Sequence, residues 1–377
     1  MRSLSQLFVI AAILQVPLSS VGDAQTLNTR DNATELDLRR YIQRQAEETG
    51  VSGSVLVRHN GKTLYAGCFG QANRSFRVPN QIDTRFRIAS VTKVFTAALI
   101  LKLRDADKLE LQDTIGRHLP NYPGPGRDKV TVHQLLNHTS GIYNIDSVIT
   151  SKGAAIARGI EHYQTPHTSD EMLTRYSSGK LVSEPGEKFN YNDAEYIILG
   201  KIIERLYGKP FDVVLDDELL QPLGLNDTGV GQQWKIVERL ADTYMLRDGV
   251  DGLTHDLPVY WENWYASGAM YSTTADLADF SDALFSGKLL SADSLQLLLT
   301  PGLDGYGYGL WLRSDTIDGK SYKAMHRPGS IMGAQAGWYH LLEPNITVII
   351  LANTDQANID QLLFAIGTET VKLTHSR

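Results

Sequence analysis

The sequence predicts an α/β fold of the α+β kind: a central antiparallel sheet flanked by helices, drawn from both ends of the chain, with an inserted helical region. Three observations lead there. Short strand candidates sit near the start, at residues 54–57 and 63–65. Strand character returns only late, at residues 308–312, 333–340 and 346–351. Between residue 105 and about residue 260 the pattern is helices and long polar loops, with little period-2 alternation.

Taken in order, residues 36–49 (LDLRRYIQRQAEET) read as an amphipathic helix closed by Gly50. His59-Asn60-Gly61-Lys62 joins the first two strands as a hairpin, because Asn-Gly accepts the positive φ of a type I′ turn. Residues 92–103 (TKVFTAALILKL) are apolar almost all round, as in a buried helix. Residues 358–373 read as a closing helix. The sheet region is assigned to residues 30–104 and 265–377 and the helical region to residues 105–264.

The 377 residues are 42% apolar and 21% charged, with net charge −7, ordinary for a globular protein. That balance gives no electrostatic footprint for nucleic acid. One cysteine, Cys68, excludes an intramolecular disulfide framework and a Cys-rich zinc site. Residues 1–24 have the layout of a secretory signal peptide: Arg2, the apolar run 7–14 (LFVIAAIL), then polar and small residues to Ala24. The alternative is an uncleaved anchor, but the run falls short of the ~20 residues a bilayer span needs. The expectation is a periplasmic or secreted protein, one domain over residues 25–377, with no membrane span after cleavage.

Chemistry enters at Ser90-Val91-Thr92-Lys93, an S-x-x-K at the start of the apolar helix. Three residues apart, Ser90 and Lys93 share a helix face. A lysine in an apolar helix is costly unless used or paired. The competing reading is an N-cap serine and a snorkelling lysine. The segments that follow, in order, are residues 131–141 (TVHQLLNHTSG), 185–200 (PGEKFNYNDAEYIILG), 222–228 (PLGLNDT), 266–280 (ASGAMYSTTADLADF), 326–333 (HRPGSIMG) and 350–353 (ILAN).

This ordered series resembles the serine β-lactamase and penicillin-binding-protein superfamily, in the branch holding class C β-lactamases, DD-peptidases, D-aminopeptidases and esterases. The resemblance implies a β-lactamase/transpeptidase-like fold and a cleft between sheet and helices. It implies Ser90 as nucleophile, Lys93 as its activator and Tyr191, in Tyr191-Asn192-Asp193, as the proton shuttle. Serine needs such an adjacent base, since it is a weak nucleophile at its free pKa. No metal or organic cofactor is implied. The substrate would be a small amide, such as a peptide with D or non-protein residues; an ester is the alternative, and a non-catalytic wall-binding relative a further one.

His326 matches the third motif, K-T-G in β-lactamases and often H-x-G in esterases and D-peptidases. The text His326-Arg327-Pro328-Gly329 has one residue too many, which a strand bulge would absorb. Pro328 has no N–H, so the oxyanion donors would be the backbone N–H groups of Ser90 and Ser330, with Gly329 permitting close approach. Arg327 reads first as an ordinary solvated arginine and second as a replacement for the cation that the motif's lysine would supply. Having His326 for lysine puts β-lactam turnover in doubt. Asp193 reads either as a carboxylate aimed at Lys93 or as a helix N-cap. His133 and His138 lack metal-ligand spacing. Tyr260, Trp261, Trp264 and Tyr265 read as core first and pocket lining second, and Tyr143 and Tyr163 are weaker candidates of the same kind.

Overall fold

A computed structural model describes residues 29–149 and 151–375; the expected signal segment, residues 1–24, lies outside them. The first helix, α1 (Thr29–Thr49), leads into the hairpin β1 (Gly53–His59) and β2 (Lys62–Phe69). Asn60 and Gly61 take φ of 51° and 76° at its turn, as the Asn-Gly pair requires. The apolar run forms α2 (Thr92–Asp105), and α3 (Asp193–Tyr207) and α4 (Thr274–Phe285) follow. The late strands are β3 (Trp311–Ile317), β4 (Lys320–Ile331), β5 (Ala334–Leu341) and β6 (Ile346–Ala352), before the closing α5 (Ile359–His375).

These six strands form one sheet in the order β3-β4-β5-β6-β1-β2. Every pairing is antiparallel, and β1 on β6 (Gly53 opposite Ala352) joins the two ends of the chain. β6 is buried along its whole length, as a strand covered on both faces must be. Its alternation splits two cores. Val348 and Ile350 pack with Leu38 and Ile42 of α1 and Leu363 and Ile366 of α5. Ile349 and Leu351 face Val94, Leu101, Phe280 and the helical region. Among the described residues no helix is long and apolar enough to cross a membrane.

Two expectations are corrected. The strand expected at residues 308–312 begins at Trp311, because Gly309 turns the chain with φ 80° just before it. The bulge expected near His326 is absent: β4 pairs with β5 without a slip from Ala324 opposite Leu341 to Ile331 opposite Ala334. The pairing of β3 ends with Trp311 opposite His326. From Arg327 onward β4 is therefore a sheet edge, where a proline is tolerated. Ile331 and Ala334 flank a two-residue turn, so by the alternation of antiparallel pairs Pro328 and Ser330 turn their backbone nitrogens toward that free edge.

Candidate active site

A short strand, Phe86–Arg87, carries the chain to the 3₁₀ turn Ala89–Val91, and α2 continues from it. Ala89 adopts φ 46°, a left-handed conformation unusual outside glycine, immediately before Ser90. This turn presents the Ser90 hydroxyl to a cavity of ≈ 450 Å³ lined also by Tyr191, Trp311, Arg327, Gly329 and Ser330. One turn on, Lys93 is fully buried. Its Nζ donates to Ser90 Oγ (3.2 Å), the Ser267 carbonyl (3.0 Å) and Asp193 Oδ1. Three acceptors match the three N–H bonds of an ammonium.

Asp193 opens α3, yet it is not the cap. Asn192 is: its Oδ1 accepts from the Ala194 N–H at 3.0 Å. The Asp193 carboxylate is thereby free to pair with Lys93. Burial raises its pKa above the usual carboxylate range; Lys93 opposes that rise and Asp146 adds to it. Tyr191, two residues earlier, donates from Oη to Ser90 Oγ at 2.8 Å. Asn144 Nδ2 holds the Tyr191 carbonyl at 2.8 Å, and the Trp311 ring stacks on the Tyr191 ring at 5.8 Å.

The third motif lies one residue later than the sequence reading places it. Arg327 is not solvated: it is fully buried. Its Nε donates to the Ser90 carbonyl (2.8 Å), Nη1 to Tyr306 Oη (3.0 Å) and Nη2 to Tyr191 Oη (2.7 Å). Burial works against the charge, but Tyr191 and Tyr306 outweigh it, so the Arg327 pKa is raised and the group stays a cation. Gly329 faces the same side; a Cβ there would lie 2.5 Å from the Ile88 carbonyl oxygen and 3.1 Å from Ser90 N. Hence Arg327-Pro328-Gly329 is the run that meets Ser90, and no extra residue exists.

His326 turns to the other face of β4. Its Nε2 meets Asp360 Oδ1 at 3.0 Å and its ring packs on Phe364. It does not line the cavity, whereas Asp360 does. The period-2 rule could have found this, since a glycine facing Ser90 forces the residue two before it, Arg327, to the same side. Asp360, Gln335 and Tyr306 carried no signal in the sequence.

Behind Tyr191 lies a buried support. His138 Nδ1 accepts from the Asn192 N–H (3.3 Å) and also meets Glu195 Oε2, while Nε2 meets Tyr306 Oη at 3.1 Å. Burial pushes Glu195 well up and His138 well down. His133 bonds Tyr308 and Asn137. Of the aromatic candidates, Tyr163 stacks on Trp264 at 3.6 Å and donates to Asp146, and Trp261 covers Arg87. Tyr143, Tyr163, Tyr260, Trp261, Trp264 and Tyr265 are not among the residues lining the Ser90 cavity, and Trp261, Trp264 and Tyr163 are core residues.

The Beta-lactamase family model matches residues 38–364. The protein PbpX of Bacillus subtilis (strain 168) is 27% identical over 278 residues, covering 74% of this chain and 66% of that protein, so the chain spans just under two thirds of that relative. The structure of a penicillin binding protein from Bacillus halodurans is 29% identical with TM-score 0.74, over 86% of this chain and 99% of that one. That of a D-stereospecific amidohydrolase from Streptomyces sp. is 25% identical with TM-score 0.71, over 92% and 99%.

Proposed function

This chain belongs to the Beta-lactamase family, and from that premise we propose that it is a serine hydrolase that cleaves a small amide through a Ser90 acyl-enzyme. The observation that carries this is the placement of Ser90 Oγ between Tyr191 Oη (2.8 Å) and Lys93 Nζ (3.2 Å), facing an open cavity. In the reactive form Tyr191 has given up the phenol proton that its Oη otherwise donates to Ser90 Oγ, and it takes the Ser90 proton as Oγ attacks the substrate carbonyl. The N–H groups of Ser90 and Ser330 receive the oxyanion, the latter from the free edge of β4. Tyr191 then protonates the leaving nitrogen as the C–N bond breaks. Water attacks the ester by the reverse relay and frees Ser90. Lys93, paired with Asp193, acts as a fixed cation, and Arg327 stabilises negative charge on the Tyr191 oxygen. An amide with a D residue is favoured by the likeness to a D-stereospecific amidohydrolase. The signal-like residues 1–24 support release to the periplasm or exterior.

Side-by-side turnover of D-peptides, p-nitrophenyl esters and nitrocefin tests the substrate class. Nitrocefin turnover should be the poorest. The reason differs from the one the sequence suggested. A permanent cation is present as Arg327, but it is covered and engaged with Ser90, Tyr191 and Tyr306. A strong nitrocefin rate at neutral pH contradicts this; ester turnover without amide turnover would make the enzyme an esterase.

Asp193→Asn reads the role of the carboxylate. Falling pH protonates Asp193 through its burial-raised pKa and strips Lys93 of its counter-charge, so kcat/KM of the wild type should drop on the acid side. The Asn variant cannot titrate there and should lose that limb. An acid limb unchanged in Asp193→Asn would assign it to another group.

A further inference from the structure

The residues lining the Ser90 cavity include two with charged side chains, Arg327 and Asp360. They differ in access. Arg327 is fully buried and donates to three oxygens of the protein. The Asp360 side chain is 44% exposed. The exposed charge that an incoming molecule meets on this wall is therefore a carboxylate.

Asp360 sits in the first turn of α5, where acidic residues are common because they offset the helix dipole. Two observations go beyond that reading. The capping is done by Asn358, whose Oδ1 accepts from the Gln361 N–H at 3.1 Å. Asp360 is instead held by a side chain from another element: His326 Nε2 on β4 meets Oδ1 at 3.0 Å. That bond fixes the carboxylate on the strand that carries Arg327, Gly329 and Ser330. Oδ2 has no hydrogen bond among the described residues. A positioned carboxylate with one free oxygen, lining the same cavity as the nucleophile, fits a cationic hydrogen-bond donor and repels an anion.

Resting on the serine-hydrolase reading, we infer that Asp360 selects substrates bearing an ammonium group near the scissile carbonyl and disfavours those bearing a carboxylate there. The ammonium could belong to the acyl part, as an unblocked amino terminus, or to the leaving group. Two substrate pairs separate these sources. Alanine p-nitroanilide (D and L) is compared with its N-acetyl form. N-acetylalanine 2-aminoethylamide is compared with the matching propylamide. In one pair the cationic member should lead in kcat/KM by about tenfold or more, the scale of a charge-assisted hydrogen bond. Asp360→Asn should reduce that lead to about twofold or less, and Asp360→Lys should reverse it. A lead that survives in Asp360→Asn overturns the inference, as does equal turnover within both pairs by the wild type. If none of these substrates is turned over while a fluorophosphonate still labels Ser90, the inference fails alone. If labelling fails as well, the hydrolase reading fails with it.

Discussion

Ser90→Ala should lower turnover of any accepted amide by about 10⁴-fold or more while the protein stays folded. The size of the loss follows from the role. Without Oγ there is no acyl-enzyme, and the Ser90 and Ser330 N–H groups are left only to polarise a carbonyl for direct attack by water. The fold should tolerate the change because each donor to Oγ keeps other partners. Lys93 retains Asp193 and the Ser267 carbonyl, and Tyr191 retains Arg327. Removing a half-buried hydroxyl costs about 1 kcal/mol, well within the stability of a domain of this size. Thermal unfolding close to wild type, loss of fluorophosphonate labelling and loss of turnover should therefore appear together. A variant that keeps near-wild-type turnover would remove Ser90 from the reaction.

Much of this site was legible in the sequence because its parts are local. Ser90 and Lys93 are three residues apart at a helix start, and helical geometry alone brings them together. The Asn60-Gly61 hairpin and the largely apolar, fully buried β6 are local in the same sense. What was not legible depends on where separate elements land. Tyr191 meets Ser90 across 101 residues and is named only through the family resemblance, while Arg327, which does so across 237, reads first as solvated. The misplacement of the third motif has a physical cause. Counting from His326 by family spacing ignored strand alternation, and the polar, proline-containing text of Lys320–Ile331 hid a twelve-residue strand. Its alternation sends His326 to α5 and Arg327 to Ser90. Asp360 was invisible for a related reason: an acid in a first turn has an ordinary explanation until the cavity beside it is seen.

Arg327→Met should lower kcat/KM by about 10²–10³-fold, the effect of removing a preorganised donor from developing charge. The loss should fall mainly on kcat. The guanidinium touches Tyr191 Oη at 2.7 Å, the oxygen through which the proton passes, and although it lines the cavity it is fully buried and bonded to the protein's own oxygens. A group that instead bound a substrate carboxylate would show itself mainly in KM. Stability should fall too, because Tyr306 Oη and the Ser90 carbonyl each lose a buried donor. A change in fold must therefore be kept apart from a change in chemistry, and Arg327→Lys does so. An ammonium restores the charge but is a single point, unable to span the three oxygens that the planar guanidinium reaches. If charge at Tyr191 is what matters, Lys should recover a large part of kcat while recovering little of the stability. If Arg327 serves only to tie β4 to the Ser90 turn, rate and stability should fall and recover together in the two variants. A Met variant with wild-type kcat would exclude Arg327 from the proton relay altogether.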